Sequence, residues 1–168
     1  MIKYTNQAMM EKSETEDFLE AREIIEELFK EKGIAIKDIR PTPNGTSVDF
    51  RFKAVTKGKE IKYAVEIKRN NGRYISSKTL PLLFTKYISM MKERKEDERL
   101  IEIFLLPTIF IIFDIDKIVT NVPLGQQNIA NWNIPLENYS TRRKERIPQP
   151  TIWLPTDKCS ISGYTKKN

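Results

Sequence analysis

A chain of 168 residues with 29 Lys and Arg, 23 Asp and Glu, no histidine and one cysteine suits one domain with a core of useful size. The missing histidine excludes Ser-His-Asp and Cys-His catalysis and histidine-ligated metal centres, and Cys159 alone can form neither an intrachain disulfide nor a cysteine cluster. A net charge of +6 favours a polyanionic partner such as a nucleic acid, and the first twelve residues carry no apolar signal core, so a cytoplasmic protein is expected.

Residues 13–32 predict the first helix. Ser13 with Glu16 three residues on has the pattern of a capping box, acids crowd the first turns, and Gly33 suits a C-cap. At 100° per residue Phe18, Ala21, Ile25, Leu28 and Phe29 form one apolar stripe, with Glu14 near its middle and Glu20, Glu23 and Glu27 pointing away. A short strand follows over residues 34–39.

Residues 47–68 then read as a hairpin, S-V-D-F-R-F-K-A-V-T-K-G-K-E-I-K-Y-A-V-E-I-K. Val48, Phe50, Phe52 and Ala54 alternate with Asp49, Arg51 and Lys53, while Tyr63, Val65 and Ile67 alternate with Ala64, Glu66 and Lys68. Gly58 supplies the positive φ of a tight turn. With Lys57 and Gly58 as the loop, Thr56 pairs with Lys59, and counting outward places Asp49 opposite Glu66. Two like charges in that relation destabilise a sheet unless something compensates, and a divalent cation held by carboxylate oxygens would do so. Lys68, two residues past Glu66, falls on the same face.

Downstream, residues 77–96 predict a second helix with Leu80, Leu83, Phe84, Tyr87, Ile88 and Met91 on one side and Pro81 in its first turn. The apolar run 103–113 is about half of a membrane span and is interrupted by Pro107. It reads instead as two buried strands, residues 100–106 and 109–113, so no membrane association is expected. After Thr120 five prolines break the pattern, leaving short extended pieces such as residues 151–154. Trp132 and Trp153 suit core or interface packing, or stacking on unpaired bases.

The order of elements, with Asp49 on one strand and Glu66-Ile67-Lys68 on the next, resembles the PD-(D/E)XK nuclease superfamily, the restriction-endonuclease-like fold of restriction enzymes and Holliday-junction resolvases. The resemblance covers about the first two thirds of the chain and rests on a short motif, one of three Glu-x-Lys triplets present. Val48 stands where the family name has proline. The resemblance implies an α/β domain, a central mixed β-sheet flanked by helices, with a core over about residues 13–120 and an irregular, proline-rich extension over about 121–168. It also implies a Mg²⁺- or Mn²⁺-dependent endonuclease in which Asp49 and Glu66 bind the metal and Lys68 orients the attacking water. Members of the family often add a glutamate from the first helix, which makes Glu14 the candidate; the plainer reading places Glu14 in an exposed first turn, favouring the helix dipole. Arg69, Arg73 and Lys78 beside the site, and the cluster Arg142, Arg143 and Lys144, are candidate nucleic-acid contacts. DNA is the expected partner, with RNA and a homodimer also open. The alternative is a basic nucleic-acid-binding module that cuts nothing, its acids paired with Arg51 or Lys68.

Overall fold

The computed structural model describes residues 2–70, 78–120, 132–133, 138–140, 145–147 and 151–165. Helix α1 (Ile2–Glu31) leads into β1 (Ala35–Pro41), β2 (Phe50–Thr56) and β3 (Lys59–Arg69). These are followed by β4 (Thr79–Leu83), α2 (Phe84–Glu93), β5 (Glu98–Leu105) and β6 (Ile109–Asp114). The last third contributes β7 (Trp132–Asn133), β8 (Asn138–Ser140), β9 (Glu145–Ile147), β10 (Thr151–Pro155) and β11 (Ile161–Tyr164). Six strands form the main sheet in the order β1-β2-β3-β5-β6-β11, in which β3 and β5 run parallel and the other neighbours antiparallel. This is the expected α/β architecture, a mixed sheet flanked by helices. β4, β10 and β7 make a smaller sheet of their own.

The hairpin forms in the register that alternation predicts, with Phe50 opposite Val65 and Thr56 opposite Lys59. Its turn has Lys57 at φ 48° and Gly58 at φ 77°, the two positive φ angles that match the twist of the strands. Alternation sends Phe50, Phe52, Tyr63, Val65, Ile101 and Ile103 to one face, where α1 covers them with Ala21, Ile24 and Ile25, and with the partly buried Phe18, Leu28 and Phe29. Ala64, Leu100, Phe104 and Phe113 point to the other face, where Leu80 and Leu82 of β4, Met90 of α2, and Ile152 and Leu154 of β10 close a second core.

Two boundaries differ from the expected ones. Helix α1 begins at Ile2 and not at Ser13. Residues 2–12 contain no proline or glycine and several strong helix formers, so the helix propagates through a serine that costs it only a few tenths of a kcal/mol, roughly. The expected second helix begins only at Phe84, because residues 79–83 form β4. Leu80 and Leu82 are buried while Thr79, Pro81 and Leu83 are only partly covered, a period of two. Pro81, which lacks an N–H, is tolerated because among the described residues β4 is an edge strand paired only with β10.

The apolar stretch that mimics a membrane span is β5 and β6, and among the described residues no helix is long and apolar enough to cross a membrane.

Candidate active site

The hairpin ladder ends at Phe50 and Val65, so Asp49 stands just beyond it and next to Glu66. The Asp49 N–H donates to the Val65 carbonyl at 2.8 Å, and the Ile67 N–H donates to Asp49 Oδ2 at 2.6 Å. This arrangement pins the Asp49 carboxylate at the rim of the sheet, where it is exposed. Glu66, one step inward, has 3 % of its surface exposed. Lys68 Nζ lies 3.4 Å from Glu66 Oε1. The three residues of the motif, Asp49, Glu66 and Lys68, are thus brought together.

Two further residues complete the cluster. Lys86, in the first turn of α2, places Nζ 2.8 Å from the same Glu66 Oε1, closer than Lys68 does. Glu102 on β5 is the register partner of Glu66 across the parallel β3–β5 pair and is fully buried. It projects to the α2 face, because its neighbours Ile101 and Ile103 belong to the core under α1 while Leu100 and Phe104 belong to the other. Both lysines use Oε1 of Glu66. Among the described residues its Oε2 and both carboxylate oxygens of Glu102 are buried without a hydrogen-bond partner.

Such a row of acids is electrostatically unfavourable. Burial, and then the Asp49 charge, push the Glu66 carboxyl up to about 7, although Lys68 and Lys86 pull it the other way. Burial and the Glu66 charge push Glu102 up to about 8. Both glutamates are therefore held protonated to higher pH than an ordinary carboxyl, a perturbation of the kind that clusters at functional sites.

The remaining candidates lie elsewhere. Glu14 is exposed on α1, which packs against the sheet face opposite Glu66. The helix reaches the end of β3 instead through Asp17 and Glu20, both of which accept hydrogen bonds from the Arg69 guanidinium. Glu20, expected to point away from the stripe, thus ties α1 to the sheet, and Arg69 is engaged by two carboxylates. Lys78 is exposed, and its carbonyl accepts from Thr156 N–H and Oγ1 at 2.9 and 3.0 Å. Arg73, Arg142, Arg143 and Lys144 lie outside the described residues.

No group of three His, Cys, Asp or Glu side chains among the described residues is arranged to hold a metal ion. Mg²⁺, however, commonly takes only one or two carboxylates from protein and keeps several waters. The buried, unpartnered Glu66 Oε2 beside the Asp49 charge fits that hard-oxygen requirement. Glu102 and Lys86 are the residues sequence reasoning missed. Glu102 had a readable signal, a single acid inside L-I-E-I-F-L-L at a position whose second neighbours are Leu100 and Phe104; Lys86 had none. No protein-family model, curated protein or solved structure matches the chain, so the chemistry of this site rests on its own geometry.

Proposed function

We propose that this protein is a Mg²⁺- or Mn²⁺-dependent endonuclease that hydrolyses phosphodiester bonds in DNA, acting in the cytoplasm. The observation that carries the reading is the convergence of Asp49, Glu66 and Lys68 where the β2–β3 ladder ends, with Glu66 almost fully buried and one of its oxygens without a partner among the described residues. Asp49 and Glu66 present the carboxylate oxygens that would hold the cation. When bound, such a cation lowers the pKa of a water and neutralises charge growing on the phosphate. Lys68, with a side chain 39 % exposed, can donate a hydrogen bond to the attacking water on the solvent side of Glu66. Lys86 adds a second positive charge for a phosphate oxygen. Ile67 N–H keeps the Asp49 carboxylate oriented while substrate enters. The net charge of +6 supports a polyanionic substrate.

A second reading is a nucleic-acid-binding module without catalysis. It is favoured by the ion pairs of Glu66 with Lys68 and Lys86, which compensate that carboxylate without a metal.

Cleavage of a panel of plasmid, branched and single-stranded DNA with Mg²⁺ or Mn²⁺ separates the two. The wild type is expected to cut, and Glu66→Ala and Lys68→Ala to lose cleavage by on the order of 100-fold or more while still binding DNA. Equal cutting by wild type and both variants would remove the site. Binding without cutting by any of the three, and no rise in thermal stability with Mn²⁺, would select the binding module.

A further inference from the structure

Three carboxylate oxygens in this cluster are buried with no hydrogen-bond partner among the described residues: Glu66 Oε2, Glu102 Oε1 and Glu102 Oε2. They lie on adjacent strands at paired positions and on the same face of the sheet. Asp49 is different, since it sits at the exposed rim and one of its oxygens already accepts from Ile67 N–H at 2.6 Å. From this contrast, and resting on the metal-dependent reading above, we infer one revision of its ligand set: the cation's direct carboxylate ligands are Glu66 and Glu102, with Asp49 at the mouth of the seat and not bound directly. Glu102 is then a metal ligand that the strand motif does not contain.

The chemistry of the donors favours a cation over a proton. One proton shared between the two carboxyls engages at most one oxygen of each and leaves the others bare, whereas a hard divalent cation accepts several oxygens at once, and two carboxylates match what Mg²⁺ or Mn²⁺ takes from protein. The surroundings strengthen the attraction. Ala64, Leu100 and Phe104 flank the pair with apolar, fully or nearly fully buried side chains, so charge–charge interactions there are weakly screened. Both lysines sit on Glu66 Oε1, so Oε2 and the two buried Glu102 oxygens are not engaged by them. The side chains of Lys86 and Lys68, 25 % and 39 % exposed, pair with Glu66 and reach solvent, so a phosphate could meet them there.

The test is uptake of Mn²⁺ alone, without nucleic acid, by isothermal titration calorimetry on wild type, Glu102→Gln, Glu102→Leu and Asp49→Asn, with circular dichroism to confirm folding. Leucine suits an apolar site and keeps the experiment decisive should the glutamine variant fold poorly. Wild type is expected to bind, both Glu102 variants to bind on the order of 100-fold more weakly, and Asp49→Asn to lose less than about ten-fold. Folded Glu102 variants that bind within about two-fold of wild type would overturn the seat and leave the metal-dependent reading standing. A loss confined to Asp49→Asn would overturn it in favour of an Asp49–Glu66 site. No uptake by folded wild type would overturn the metal-dependent reading itself, and the seat with it.

Discussion

A carboxyl group that keeps its proton well above the ordinary carboxylate range ties the stability of the fold to pH. Glu66 and Glu102 have an ordinary value of 4.5 and are pushed up to about 7 and about 8 in the folded protein, mainly by burial. Between pH 4.5 and about 8 the folded state therefore holds protons that the unfolded chain has released, and stability falls as pH rises. Glu93 shifts the other way, because its carboxylate accepts from Ser47 N–H at 2.7 Å and Ser47 Oγ at 2.8 Å. Its contribution is lost only as pH drops through its lowered pKa, outside that window. With EDTA present, the melting temperature is expected to fall steadily from pH 5 to pH 8, each unit of separation being worth on the order of 1 kcal/mol at most. Glu102→Gln should flatten the profile, and scanning calorimetry at several pH values checks it. A wild-type profile that stays flat over this range would mean that both glutamates are ionised and compensated without a metal.

Helix α1 and the main sheet meet through an apolar stripe and, at one end, through Arg69. Its guanidinium donates to Asp17 and Glu20, two acids one turn apart on the helix, and is 27 % exposed. Arg69→Ala should lower stability by about 1–2 kcal/mol, read from urea unfolding, because two partly screened charge-assisted hydrogen bonds are lost. The salt dependence of DNA binding should stay unchanged; a slope reduced by about 1 with stability intact would return Arg69 to the nucleic-acid contacts. This pairing shows where the sequence was readable and where it was not. The apolar stripe of α1 and the β2–β3 register follow from periods of 3.6 and 2, both local properties. The partner of Glu20 does not, because it depends on which end of β3 the helix crosses. The start of α2 was ambiguous for a local reason, since Leu80, Pro81, Leu82 and Leu83 satisfy a helical stripe and a strand alternation alike. Only the arrival of β10 some 70 residues later settles it as a strand, Trp153 standing opposite Pro81.

At the scale of the whole molecule the site is a junction of elements distant in sequence: the β2–β3 hairpin, β5 beside it, and α2 on the crossover between β3 and β5. The hairpin half was legible because Asp49 and Glu66 are related by one tight turn. The other half was not, because Glu102 reaches Glu66 only through the parallel pairing and Lys86 only through the docking of α2. On the proposed reading Lys68 and Lys86 also decide how part of the excess of positive charge is used. Both pair with Glu66 Oε1, and on that reading a cation beside that carboxylate would weaken their hold and free both for phosphate. Each phosphate contact contributes about 0.9 to the slope of log affinity against log salt. With Ca²⁺ in place of Mg²⁺ to limit cutting, the double variant Lys68→Ala/Lys86→Ala should bind duplex DNA more weakly, and its slope should be shallower by about 2, measured by fluorescence anisotropy across a salt series. The loss should be the same for unrelated sequences, as backbone contacts carry no base information. An unchanged slope would confine both lysines to balancing Glu66, and the positive charge that meets DNA would then lie on another part of the surface.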